Sequence, residues 1–181
     1  ERRGHPFVRY ADDANIYVRS RRAGERVMAS VERFLNRRLK LPPNREKSRV
    51  ARSWVCDYLG YGMSWHQRPR LRVATMSLGR LRDRLRELLR GARGCKMANV
   101  IERINPVLRG WAGYFKLSQS KRPLEELDGW VRHKLRCVIW RQWKLPSTRA
   151  RNLMRLGLNE ARACKSAFNG RGPWWNSGAP H

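Results

Sequence analysis

Tyr10-Ala11-Asp12-Asp13 lies between two short β-prone runs, Phe7-Val8-Arg9 and Ile16-Tyr17-Val18. The arrangement predicts a β-hairpin whose turn carries two adjacent carboxylates. Asp tolerates turn backbone, and its oxygens are hard donors of the kind that ligate Mg²⁺. The chemistry within reach of such a pair is metal-assisted phosphoryl transfer, in which nucleotides are added to a growing strand. An ordinary Asp-rich turn would carry the same four letters. Scarcity argues for more than a turn, because the chain sets only 14 Asp plus Glu against 41 Lys plus Arg.

That imbalance gives a formal net charge of +27 over 181 residues. A charge so large must be spread over the surface or set against a polyanion, and nucleic acid is the partner it implies. A diffuse basic surface is the alternative. No basic amphipathic helix stands apart to suggest a membrane surface, and no run of about twenty apolar residues offers a transmembrane span. The hydrophobic fraction of 41% suffices for a folded core. Cys56, Cys95, Cys137 and Cys164 are far apart and lack zinc-ligand spacing, so they read as free thiols. With no signal-peptide pattern, a cytoplasmic setting is expected. His5, His66, His133 and His181 form no recognisable triad with Ser or Cys.

The elements that must position the Asp pair follow from periodicity. Val27, Val31, Phe34, Leu35 and Leu39 predict an amphipathic helix over 23–41, stopped by Pro42-Pro43. Asn44-Arg45-Glu46-Lys47-Ser48 leads into two β-prone segments, Arg49–Ala51 and Trp54–Met63. Near Thr75 the pattern turns to Arg-rich helices. Leu78, Leu81, Leu85 and Leu88 make one apolar face, with Arg80, Arg82, Arg84, Arg86 and Arg90 around the rest. Residues 97–117 predict a second helix, kinked or broken at Asn105-Pro106. Residues 124–143 predict a third, with Leu127, Val131, Leu135, Val138 and Ile139 as its stripe. Shorter helical pieces are expected over 149–156 and 160–167, then a loop-like tail from Gly170 to Asn176. The fold class is α+β, a β-hairpin with a helix and short antiparallel strands followed by an all-helical part.

Phe7–Asp13, then Asn44–Ser48, then Tyr58-Leu59-Gly60-Tyr61, in this order, resembles the later half of a reverse transcriptase palm. Downstream, Leu108–Phe115, Leu127–Arg132 and Trp140–Lys144 resemble the thumb, or maturase domain X, of bacterial group II intron-encoded proteins. Gly172–Asn176 is similar to the ends of such proteins. The resemblance implies three parts: the C-terminal part of a palm over 1–75, a helical thumb and maturase domain over 76–145, and a basic C-terminal segment over 146–181.

In that family Asp12 would be a metal ligand and catalytic, with Asp13 its less directly engaged neighbour, and the cofactor would be Mg²⁺ or, alternatively, Mn²⁺. Tyr10 and Ala11 would lie beneath the primer terminus and incoming dNTP, Lys47 near the triphosphate, and Leu59 and Gly60 in the primer grip. Two metal ions about 4 Å apart activate the primer 3′-hydroxyl and stabilise the departing pyrophosphate. That mechanism needs a third carboxylate, which the family draws from an earlier palm strand, and fingers that hold the template. The chain therefore reads as a fragment that does not polymerise alone. The implied partners are group II intron RNA during splicing, the RNA template with its DNA primer, and dNTP. Arg80, Arg84, Arg109, Arg132 and Arg141 are the candidate RNA contacts, with Trp111, Trp130, Trp140 and Trp143 either stacking on bases or packing in the core. Two further readings are an RNA-binding splicing factor with a decayed polymerase half, and a reverse transcriptase of the retron or CRISPR-associated lineages.

Overall fold

The computed structural model describes residues 4–44 and 46–178, so Arg45 of the Asn44–Ser48 motif and His181 lie outside the described residues. The chain divides into two units, Glu1–Ala74 and Thr75–His181. Among the described residues the first carries two small antiparallel sheets, one α-helix and two short helical turns, and the second carries helices without strands, an α+β composition.

In the first unit β1 (Phe7–Tyr10) pairs with β2 (Asp13–Ile16), in a register that sets Phe7 opposite Ile16 and Tyr10 opposite Asp13. Only Ala11 and Asp12 remain for the turn. The hairpin is thus tighter than the apolar runs suggest: Asp13 belongs to β2, and Tyr17 and Val18 lie beyond it. Helix α1 (Arg21–Phe34) starts at Ser20, whose hydroxyl accepts from the Ala23 amide at 3.2 Å. It runs into a π-helical turn, Leu35–Leu39, closed by Lys40 in the left-handed conformation before Pro42. At Gly24 a Cβ would stand 2.6 Å from Val50 Cγ1, so the missing side chain lets Val50 approach α1.

The β-prone stretch 49–63 behaves differently from its pattern. Arg49–Ala51 forms no strand, and Ser53–Val55 is a short 3₁₀ turn. Only Tyr61–Met63 forms a strand in it, β3, paired with β4 (Leu71–Val73), which its own sequence does not announce. Among the described residues the apolar core of this unit is small, with Val73 and Ala74 buried while Phe7, Val8, Tyr10, Ile16, Phe34, Leu39 and Leu41 are exposed.

The second unit follows its Leu stripes closely. Helix α2 (Thr75–Arg90) buries Leu81 and Leu85 against Ile104 of α3 (Met97–Tyr114) and Leu127 and Val131 of α4 (Arg122–Gln142). Ala92, Val100 and Val138 extend this core, and Trp140, Leu153 and Ala163 form another cluster where α5 (Pro146–Arg155) and α6 (Glu160–Ala167) join α4. A break at Asn105-Pro106 does not occur. Helix α3 continues through Pro106, which lies exposed inside it. The ring removes one amide donor, and the bonds on either side of it, with burial of Val100 and Ile104, hold the helix.

The tail, expected as a loop, forms α7 (Pro173–Gly178) and packs on α4. Pro173 presets the first turn, and Asn176, 1% exposed, donates to the Arg171 carbonyl at 2.9 Å and accepts from Asn169 Nδ2 at 2.7 Å. Arg136 of α4 donates to the Ser177 carbonyl at 3.0 Å, and His133 is 2.7 Å from the Trp174 carbonyl with its ring stacked on that indole. These polar ties, invisible to hydrophobic periodicity, fix α7.

Candidate nucleic-acid interface

Asp12 and Asp13 sit at the tip of the β1–β2 hairpin, both exposed, and neither forms an ion pair among the described residues. Ala11 takes φ +53° in the two-residue turn, a conformation that Gly, Asn or Asp ordinarily supplies. Its carbonyl accepts from Arg9 Nε at 2.9 Å. Tyr10 is 64% exposed beside it. Tyr58, which the sequence offers only as the first residue of the Tyr58–Tyr61 motif, donates its hydroxyl to the Asp13 carbonyl at 3.4 Å. Desolvation raises the Tyr58 phenol above its ordinary 10.0, and the negative charge of Asp13 adds to the rise, with a further contribution from Tyr17. The two carboxylates suit a hard cation as donors. They supply only part of a shell, since no group of three His, Cys, Asp or Glu that could hold a metal occurs among the described residues.

Leu59 and Gly60 form a tight turn of their own. Both have positive φ, +50° and +78°, and Tyr58 and Tyr61 exchange amide-to-carbonyl bonds of 2.7 and 2.9 Å across it. Two successive positive φ values are the signature of the hairpin turn in which Gly is favoured, so Gly60 has a local reason to be glycine. Its carbonyl accepts from the Ala74 amide at 2.8 Å. Lys47 is exposed on the loop after α1, its amide held by Asn44 Oδ1 at 3.2 Å.

In the helical unit the candidate arginines separate. Arg84 pairs with Glu87 at 3.1 Å and Arg132 with Asp128 at 2.9 Å, exposed pairs on their own helices. Arg80 and Arg109 are exposed. Arg141 lines a groove of about 360 Å³ with Arg86, Arg90, Arg93 and Lys134, over Leu89, Cys137 and Val138 and beside Trp174. Five of the nine lining residues are cations and none is a carboxylate. Among the described residues Arg86 alone of the five has an acidic partner, Asp83. Lys134 Nζ stands 4.8 Å from the Trp174 ring and 5.6 Å from that of Trp130. Such cation–π contacts hold an ammonium in place without neutralising it.

The tryptophans divide likewise. Trp140 is 4% exposed and is a core side chain, which removes it as a base platform. Trp143 packs against the same cluster, Trp111 against the first core with Phe115 4.6 Å away, and Trp130 under Arg82, Arg86 and Lys134. Trp174 and Trp175 of α7 are about half exposed, 49% and 48%. Lys134 and Arg93 carry no motif in the sequence, and Trp174 stands out there only as part of the Gly172–Asn176 run. The available signal was the spacing of Arg86 and Arg90, four residues apart on α2, and of Lys134 and Arg141, seven apart on α4, with Arg93 in the turn just after α2.

No curated protein matches the chain. Residues 78–157 match the family described as the group II intron, maturase-specific domain. The matched span runs from the first Leu stripe of α2 past the end of α5, and so takes in α2 and α4, which supply four of the five cations of the basic groove. Through residues 78–157 of its helical unit, the chain is similar to the maturase-specific domain of group II introns.

Proposed function

We propose that this chain is part of a group II intron reverse transcriptase and maturase, in which the helical unit grips intron RNA to assist splicing and the N-terminal unit is the later portion of a polymerase palm. The observation that carries the polymerase half is the pair of exposed carboxylates at a two-residue hairpin turn, in the unit directly preceding the maturase-specific domain. The small core and exposed apolar side chains of the first unit also suit a palm completed by further protein surface.

In this reading the unit from Thr75 onward serves as thumb. Asp12, with Asp13 beside it, would hold Mg²⁺ together with a carboxylate from elsewhere in the full-length protein. The bound ion would supply charge stabilisation to nucleotidyl transfer from dNTP to primer. The chain's own contribution is positional. The tight β1–β2 register fixes both carboxylates at the hairpin mouth, and Tyr58 braces the strand through the Asp13 carbonyl. Ala11, lacking a long side chain, leaves room at the turn, and the Leu59-Gly60 turn offers backbone for close approach by a primer strand. Lys47 supplies a mobile point charge suited to a triphosphate.

The test is primer extension by the chain joined to its genomic upstream region. Extension that Asp12→Ala abolishes is the expected result, and absence of extension, or extension indifferent to Asp12→Ala, rejects the catalytic assignment.

A further inference from the structure

The basic groove has a wall that the matched domain does not contain. Its cations come from α2, from the short turn Ala92–Gly94 and from α4, all inside residues 78–157, whereas Trp174 comes from α7, outside that span. Helix α7 is fastened by bonds that depend on specific residues: Arg136 to the Ser177 carbonyl at 3.0 Å, His133 at the Trp174 carbonyl at 2.7 Å and Cys137 Sγ to the Pro173 carbonyl at 3.6 Å. All three partners lie on α4, the helix that also supplies Lys134 and Arg141. The C-terminal segment is therefore built against the groove.

We infer that α7 completes a seat for the sugar-phosphate backbone of RNA, gripped by Arg90, Arg93, Lys134 and Arg141. The inference rests on the RNA-binding reading above and goes beyond it by naming the seat and giving the C-terminal helix a role in it. Like charges converging without a carboxylate repel one another, and that arrangement is relieved by an anion. Guanidinium forks match phosphate oxygens in pairs, and Lys134, held between two indoles, adds a point charge. The floor of Leu89, Cys137 and Val138 with the indole of Trp174 is apolar. A nucleotide brings both an anion and a flat, weakly polar face, whereas an acidic peptide brings carboxylates alone. The volume of about 360 Å³ falls near the low end of cavities that take small ligands and suits one nucleotide unit of a longer strand.

The test is equilibrium binding of the full chain to a group II intron transcript across a salt series, with four proteins: wild type, R90Q/R93Q, W174A, and R151Q/R155Q as a pair of equal charge change on α5. The exposed arginines leave the cores untouched, so R90Q/R93Q is expected to melt as the wild type does. R90Q/R93Q should weaken binding about tenfold and flatten the slope of log K against log salt by about 2. W174A should weaken binding without changing the slope, since it removes a wall and no charge. R151Q/R155Q should keep nearly the wild-type slope. If R90Q/R93Q and W174A bind as R151Q/R155Q does while the wild type holds the transcript, the groove is not the seat and the RNA-binding reading survives. A wild-type chain that does not hold the transcript overturns both.

Discussion

Ala11 occupies the least comfortable backbone at the hairpin tip. A non-glycine residue at φ +53° costs about 1 to 2 kcal/mol, and the flanking Tyr10–Asp13 pair enforces it. Ala11→Gly should relieve that cost and, after the entropy glycine adds to the unfolded chain, stabilise the hairpin by about 0.5 kcal/mol in denaturant unfolding. Tyr58 gives a second test. Its phenol is raised above 10.0 in the folded chain, so the native state holds the proton more tightly than the unfolded state does. The stability this contributes is fully present below pH 10.0 and is lost as pH rises through the raised value. Tyr58→Phe should lose the link to Asp13 and with it this alkaline loss, read by unfolding at pH 9 and above. The sequence made Asp12 and Asp13 legible because scarcity and turn chemistry coincide there. Tyr58 was not, because a contact across 45 residues leaves no local trace.

Among the elements, those with a strong 3.6-residue stripe were legible. Leu81 and Leu85 announce α2, and both are buried as their spacing requires. Leu85, 1% exposed at the centre of the first core, should cost about 3 kcal/mol as Leu85→Ala, measured by the thermal transition of the helical unit. Helix α3 shows where one strong local rule loses to several weaker ones. Pro106 deprives the Glu102 carbonyl of its helical donor, yet the helix continues to Tyr114. Because Pro106 is exposed, Pro106→Ala should restore the donor without losing packing and raise stability by about 1 kcal/mol or more in the same assay. Strands β3 and β4, three residues each, were poorly legible because so short a run carries little periodicity. The tail was missed for a different reason. Gly170-Arg171-Gly172-Pro173 looks like a loop, and what makes 173–178 helical is Asn176 and the ties to α4.

At the scale of the molecule, a net charge of +27 makes any RNA affinity steeply salt-dependent, and salt dependence alone separates no reading from another. Composition pointed to a polyanion. It left open where the anion sits, since 41 basic residues offer many stripes and only tertiary packing brings Arg86, Arg90 and Arg93 opposite Lys134 and Arg141. The similarity of residues 78–157 to a group II intron maturase-specific domain adds a sharper expectation than charge: selection of structured intron RNA over other RNA. The direct measurement is competition at one fixed salt concentration, in which labelled group II intron transcript bound to the full chain is challenged with unlabelled transcript or with bulk RNA of equal length. The account predicts that unlabelled transcript displaces the label at concentrations at least about tenfold below those bulk RNA needs. Equal displacement by both would contradict it, leaving a basic protein that holds RNA by charge alone.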